Sequence, residues 1–217
     1  MYRPLFVSVF TTIVGTAVGL LITTMGGYVL AQRKMPGYKL FSRYVLITML
    51  FNGGLIPTYL TVKNLGLMNN LIAVIIPVCV GAYNLILMKS FFAALPETLF
   101  EAAELDGCTQ LDAFVRIALP LSKPSLASAG LFIAVSMWND YMHFILYMPK
   151  GDWKNFQVKI RDLILNDSIA GSTATVSASE EMLKSAVVII VVLPFVIVCP
   201  FLQKYFTKGV TLGAVKG

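Results

Sequence analysis

A chain of 217 residues that is 57% hydrophobic and 13% charged, with a mean hydropathy of +0.78, carries about half the charge of a soluble domain and reads as membrane protein. Its net charge of +6 does not indicate nucleic acid, because Lys and Arg stand at the ends of apolar runs, where anionic lipid and topology account for them. One histidine and no nucleophile–base constellation argue against an enzyme.

The first apolar run, Leu5 to Leu30, holds no formal charge and as a helix would be about 39 Å long, enough to cross a bilayer with tilt. It is too long for the apolar core of a signal peptide, and further apolar segments follow it. Five spans are expected, at about 5–30, 44–60, 70–88, 125–146 and 185–203. Without a barrel-type strand pattern, a chain in lipid satisfies its backbone as helices. The expected fold is therefore all-α, one polytopic helical bundle over 1–217, with no repeat and no interdomain linker. Cys79, Cys108 and Cys199 share no metal-binding spacing and are odd in number, so they read as reduced packing residues.

Sidedness follows from charge. Five spans put Arg33, Lys34, Lys39, Arg43, Lys89, Arg116, Lys123, Lys204, Lys208 and Lys216 on one face and seven positives on the other. The four packed between 33 and 43 place that face in the cytoplasm, together with the C-terminus.

Between the third and fourth runs lies "FEAAELDGCTQLDAFVRIALPLSKP", Phe100 to Pro124, dense in charge where its flanks are not. Leu95-Pro96-Glu97 reads as a helix start, with proline at the first position and Glu97 at the positive end of the dipole. Gly107 supplies a stop, since glycine takes the left-handed conformation without penalty. Thr109 and Asp112 form a loose capping-box pattern for a second short helix, which Pro120 and Pro124 end. On the first helix, small Ala102 and Ala103 allow close approach of another surface, and Glu101, Glu104 and Asp106 can pair with Arg or Lys. A solvated amphipathic connector would have the same composition.

The order Glu101-Ala102-Ala103, three residues, Gly107, nine residues, Ile117, one residue, Leu119-Pro120 resembles the EAA signature of binding-protein-dependent ABC importer permeases. "FNGGLIPTYL" before it, "LPLSKPSLAS" after it and the final "KGVTLGAVKG" resemble the carbohydrate-uptake branch, similar to its second maltose-type membrane subunit; the likeness runs from about Phe6 to Gly217. It implies a coupling loop at 95–120, with Glu101, Ala102, Ala103, Asp106, Gly107, Ile117, Leu119 and Pro120 docking on a cytoplasmic ATP-binding cassette subunit. It also implies a sister permease as heterodimer partner, an external solute-binding protein that delivers a sugar, and a bacterial plasma membrane. No G-x-x-x-x-G-K-[ST] occurs in the chain, so no cofactor is expected and ATP is bound by the partner.

Polar residues within the spans are candidates for the translocation path. Asn52-Gly53-Gly54 and Pro57 interrupt the second span, either as path lining or as a packing kink. Asn84 on the third suits interhelical bonding or substrate contact. Trp138, Asn139 and Asp140 stand toward the outer end of the fourth: a mid-membrane charge costs about 2.5–3.5 kcal/mol, so Asp140 faces a cavity or the interface. Trp and Asn suit a sugar site or an aromatic anchor. His143, without a ligand partner, reads as an interfacial polar residue. The stretch 149–183 is a solvated loop, or, by the resemblance, the face that receives the binding protein.

Permeases of this branch have six spans with both termini in the cytoplasm, and their coupling motif falls between the fourth and fifth. Here it falls between the third and fourth. The resemblance thus implies that the family's first span is absent and that the chain is a truncated or alternatively started form. The competing readings are a secondary transporter, for which Asp140 is the only intramembrane carboxylate, and a structural or assembly membrane protein.

Overall fold

The computed structural model describes residues 2–151 and 153–162, with 189 and 196 in isolation. The expected span at 185–203, the C-terminal tail, Cys199 and the outer stretch beyond 162 lie outside the described residues. Those described are helical, with no strand.

The central element is α1 (Tyr2–Ala31), which alone among the described helices is long and apolar enough to cross a membrane unaided. One row of its residues, Val7, Thr11, Gly15, Gly19, Thr23 and Gly27, recurs every fourth position and is buried. Small side chains on that row let neighbouring backbones approach closely, the packing mode of helices in lipid. A Cβ at Gly27 would lie 2.7 Å from Met88 Cβ, and one at Gly19 would overlap the Cys79 carbonyl oxygen. Thr11 and Thr24 satisfy their hydroxyls on the carbonyls one turn back, Val7 O at 2.8 Å and Leu20 O at 2.5 Å, whereas the buried hydroxyls of Thr12, Thr16 and Thr23 on the same helix have no hydrogen-bond partner among the described residues.

The segment expected as one interrupted span at 44–60 is two helices, α2 (Tyr38–Leu50) and α3 (Leu55–Asn64), whose axes turn by 114°. The cause is local. Gly54 has φ +87° and ψ 174°, a conformation essentially confined to glycine, and its N–H donates to Asn52 Oδ1 at 3.0 Å. The expected span at 70–88 is likewise α4 (Leu71–Cys79) and α5 (Ala82–Ala93), bent by 46°. Pro77 removes a backbone donor inside α4, and Val80 and Gly81 are extended. Asn70 Oδ1 caps α4 by accepting the Ile72 N–H. The charge-dense segment follows as α6 (Glu97–Leu105), α7 (Gln110–Ala113), a π-helical turn (Phe114–Ala118) and the short α8 (Leu119–Leu121). The expected span at 125–146 is α9 (Lys123–Trp138) and α10 (Met142–Tyr147), separated by Asn139–Tyr141.

Around α1 the core forms three levels. Val7 packs with Val62, Val74, Phe144, Tyr147 and Val158 near the N-terminal end of α1. Ile75, Cys79, Ile133 and Met137 form the middle. Tyr28, Met88, Phe92, Ala118 and Ala129 form the level at the C-terminal end of α1, with Phe100 and Phe114 against them. At the same level as Val7, residues 156–162 are helical and not part of a solvated loop: Phe156, Val158 and Ile160 are buried, and the Phe156 N–H donates to Ser8 Oγ at 2.9 Å. These residues make about two helical turns, and Val158 is buried beside Val7 of α1 and Phe144 and Tyr147 of α10.

Candidate functional site

The charge-dense segment from Pro96 to Pro124 is built by local signals. Pro96 is the N-cap of α6, one position before its expected place, and Glu97 opens the first turn. Gly107, at φ +76°, closes the helix in a Schellman arrangement: its N–H donates to Glu104 O at 3.1 Å and the Cys108 N–H to Ala103 O at 2.9 Å. Asp106 is the C-cap, bonded to Ala102 O. Thr109 then caps α7 in a full capping box. Its Oγ1 accepts the Asp112 N–H at 3.2 Å, while Asp112 Oδ2 accepts from the Thr109 N–H at 3.3 Å and from its hydroxyl at 2.6 Å. These bonds from the Thr109 hydroxyl and N–H, with Arg116 3.5 Å away, hold the Asp112 carboxyl below the usual carboxylate range.

Pro120 does not end this segment. It lies inside α8, and the preceding turn widens to a π-helix in which the Leu119 N–H reaches Phe114 O. In a regular α-helix the Pro120 ring would crowd the Arg116 carbonyl, and the wider turn relieves it. The direction changes by 80° at buried Ser122, whose hydroxyl donates to Ala118 O at 2.6 Å. Pro124 stands in the first turn of α9.

The three residues of the signature face three ways. Ala103 is 6% exposed and packs inward. Glu101 lines a cleft of about 510 Å³ between the end of α1 and α6. Ala102 is exposed, and with Leu99 and Leu105 at three-residue spacing it forms an apolar ridge along the solvent side of α6. Leu105 is 90% and Leu111 70% exposed, on a segment otherwise rich in charge. Asp106 and Gly107 are also exposed, Ile117 and Leu119 half-buried and Pro120 exposed.

The segment is tied to the bundle by aromatic rings that the sequence reading did not single out. Tyr28 of α1 meets Phe114 at a centroid distance of 4.9 Å, Phe92 at 5.6 Å and Phe100 at 6.3 Å. Phe100 of α6 and Phe114 of the π-helical turn thus grip the same Tyr28. The available signal was the placement of Phe100 and Phe114 three residues before Ala103 and just after α7, on the inward face of an otherwise polar stretch.

The five path candidates do not converge. Asn52 is exposed in the α2–α3 turn, bonded only to Gly54. Asn84 is half-buried on α5, its Oδ1 enclosed without a hydrogen-bond partner. Trp138 is buried, and exposed Asn139 donates from Nδ2 to Val135 O at 3.0 Å. The Asp140 side chain is 7% exposed and holds His143 twice through Oδ1, at 2.8 Å to Nδ1 and 3.3 Å to the backbone N–H. His143 therefore has a partner. The Asp140 carbonyl also accepts from Asn155 Nδ2 at 2.5 Å, which ties the break after α9 to the start of the helix at 156–162. Clefts open at the α1–α6 junction, between α3 and α4, and beside Tyr2 and Trp153; none of the five residues lines any of these. Among the described residues no group of His, Cys, Asp or Glu could hold a metal ion.

Comparison with known proteins identifies similar chains. The chain is 45% identical over 219 residues to Protein LplC of Bacillus subtilis (strain 168), covering 99% of this chain and 74% of that protein. It is 41% identical to the Polygalacturonan/rhamnogalacturonan transport system permease protein YtcP of the same organism, over 100% of this chain and 78% of the relative. A bacterial ABC transporter involved in the import of the acidic polysaccharide alginate has a chain that superposes with TM-score 0.85 at 31% identity, over 94% of this chain and 75% of that one. Such relatives are transport permeases, components that carry no enzymatic activity of their own. Residues 23–212 match the family described as binding-protein-dependent transport system inner membrane component, and the chain belongs to that family of ABC transporter permeases.

Proposed function

We propose that the chain is the permease subunit of an ATP-driven importer that moves a sugar or oligosaccharide, delivered by an external binding protein, into the cytoplasm by alternating access. The observation that carries the reading is the apolar ridge of Leu99, Ala102 and Leu105 on a polar cytoplasmic helix whose inner side is clamped to α1 and α5. An exposed apolar patch outside lipid fits a protein partner, and the clamp makes α6 a lever: force on the ridge reaches the bundle through Phe100, Phe114 and Tyr28. The partner is a cytoplasmic ATPase subunit, which binds the ATP. Glu101, Ala102, Ala103, Asp106 and Gly107 form the docking helix and its stop, while Ile117, Leu119 and Pro120 set the return into α9.

A sister permease completes the pathway in the plasma membrane of a bacterium. Asn52, Asn84, Trp138, Asn139 and Asp140 are assigned to the path, with Asp140 and His143 bracing its outer end. The names of relatives, a polygalacturonan/rhamnogalacturonan and an arabinooligosaccharides transport system permease, support an oligosaccharide as cargo. Reconstitution of the chain with its sister permease and ATPase in proteoliposomes tests the proposal. ATP hydrolysis should rise when sugar-loaded binding protein is added outside, with labelled sugar accumulating in step. Hydrolysis and accumulation that ignore the binding protein would refute the importer assignment.

A further inference from the structure

The cleft at the α1–α6 junction has charged walls of opposite sign. Arg33 and Lys34, at the end of α1, form one; Glu97, Glu101 and Glu104 line the other. Both cations are exposed, and among the described residues neither makes an ion pair although three carboxylates share the cleft. Glu104 is engaged by Gln110 Nε2 at 3.1 Å. The walls stand apart because each is fixed from behind, α6 through Phe100 and α1 through Tyr28. The open volume, about 510 Å³, has room for several side chains.

An occupant must bring a negative group to Arg33 and Lys34 without placing net negative charge on the glutamates. An anionic lipid headgroup meets the first condition and violates the second. A protein surface with neighbouring acidic and basic side chains meets both. The cleft is also continuous with the apolar ridge, since Glu101 and Glu104 share α6 with Ala102 and Leu105. We propose that the cleft is a second docking point for the ATPase subunit, in which an acidic side chain of that subunit is held by Arg33 and Lys34 beside the docking helix. This rests on the coupling reading above and adds the α1–α2 loop to the interface.

Cys108, half-buried on the cleft wall, is a reporter already in place. Cys79 is 3% exposed, and Cys199→Ser removes the remaining thiol. In the assembled complex, in inside-out vesicles, a membrane-impermeant maleimide should label Cys108 about tenfold more slowly when the ATPase is bound than after it is stripped. Arg33→Gln/Lys34→Gln should abolish most of that protection and lower ATPase recovery about tenfold, the effect of losing close charge pairs. Lys34→Gln alone, which keeps Arg33 as a topological anchor, should give an intermediate value. Unchanged protection in both variants would overturn the proposal. So would protection that appears without ATPase in phosphatidylglycerol nanodiscs and not in phosphatidylcholine, which would assign the basic pair to lipid. Leu105→Glu separates the two claims. If it abolishes ATPase recovery while the basic pair is dispensable, only the second docking point fails; if it too leaves recovery intact, the coupling reading fails.

Discussion

Among the described glycines, an added Cβ meets backbone most closely at Gly19, where α1 passes the C-terminal end of α4. Gly19→Ala would place a methyl group on the Cys79 carbonyl oxygen, 3.1 Å from its carbon and 3.2 Å from its Cα. All three are backbone atoms, so relief requires the helices to part. Overpacking of this kind costs about 1–3 kcal/mol, with the upper end fitting a backbone clash. Alanine in a helix returns about 1 kcal/mol over glycine, which leaves a net loss of about 1–2 kcal/mol. Gly27→Ala meets Met88 Cβ at 2.7 Å and Lys89 N at 3.1 Å and should behave similarly. Gly15→Ala meets Met137 Sδ and Cε at 2.7 Å and Cγ at 3.1 Å; all belong to one flexible side chain and none to backbone, so clash and propensity should nearly cancel. Gly130→Ala finds Leu20 methyls no nearer than 3.7 Å and should gain up to about 1 kcal/mol. The apparent melting temperature of the detergent-solubilised complex, read by fluorescence size exclusion, should therefore order Gly130→Ala above wild type, Gly15→Ala near it, and Gly27→Ala and Gly19→Ala below. A Gly19→Ala complex as stable as Gly130→Ala would refute the argument that the glycine row sets helix spacing.

Gly107→Val puts a β-branched residue at φ +76°, a strain of about 1–3 kcal/mol in a turn where a side chain meets no neighbour. ATPase recovery should fall while pairing with the sister permease persists, and equal recovery would contradict the docking-helix assignment. Asp140→Asn should lower uptake with normal amounts of complex, because it takes the charge from the Oδ1 contacts to His143 at the outer end of the assigned path; unchanged uptake would remove Asp140 from it. Asp112 titrates below its usual value when folded. Its contribution to the capping box is therefore complete above about pH 4, the unfolded value, and is lost as pH falls through the lower folded value. ATPase binding should consequently be flat across neutral and mildly acidic pH in Asp112-containing protein, and a loss centred near neutrality would show that another group controls docking.

The sequence by itself determined the features that depend on near neighbours. Gly107 stops α6 because only glycine takes that conformation freely, and Thr109 with Asp112 caps α7 because the two are three residues apart. Charge-free length gave α1, and the spacing from Glu101 to Pro120 gave the family. What only the tertiary structure decided depends on the partners that a helix face meets. The 114° turn at Asn52–Gly54 and the bend after Pro77 follow from breakers visible in the sequence, but no local rule sets their angle, which packing fixes. Asp140 and His143, three residues apart, are near neighbours of the same kind, but the burial of the helix at 156–162 and the grip of Phe100 and Phe114 on Tyr28 involve side chains brought together by folding. Hydrophobic periodicity could not foresee them, because in a chain this apolar every face of a helix carries the same signal, and burial is chosen by the small residues that allow contact, the row from Thr11 to Gly27.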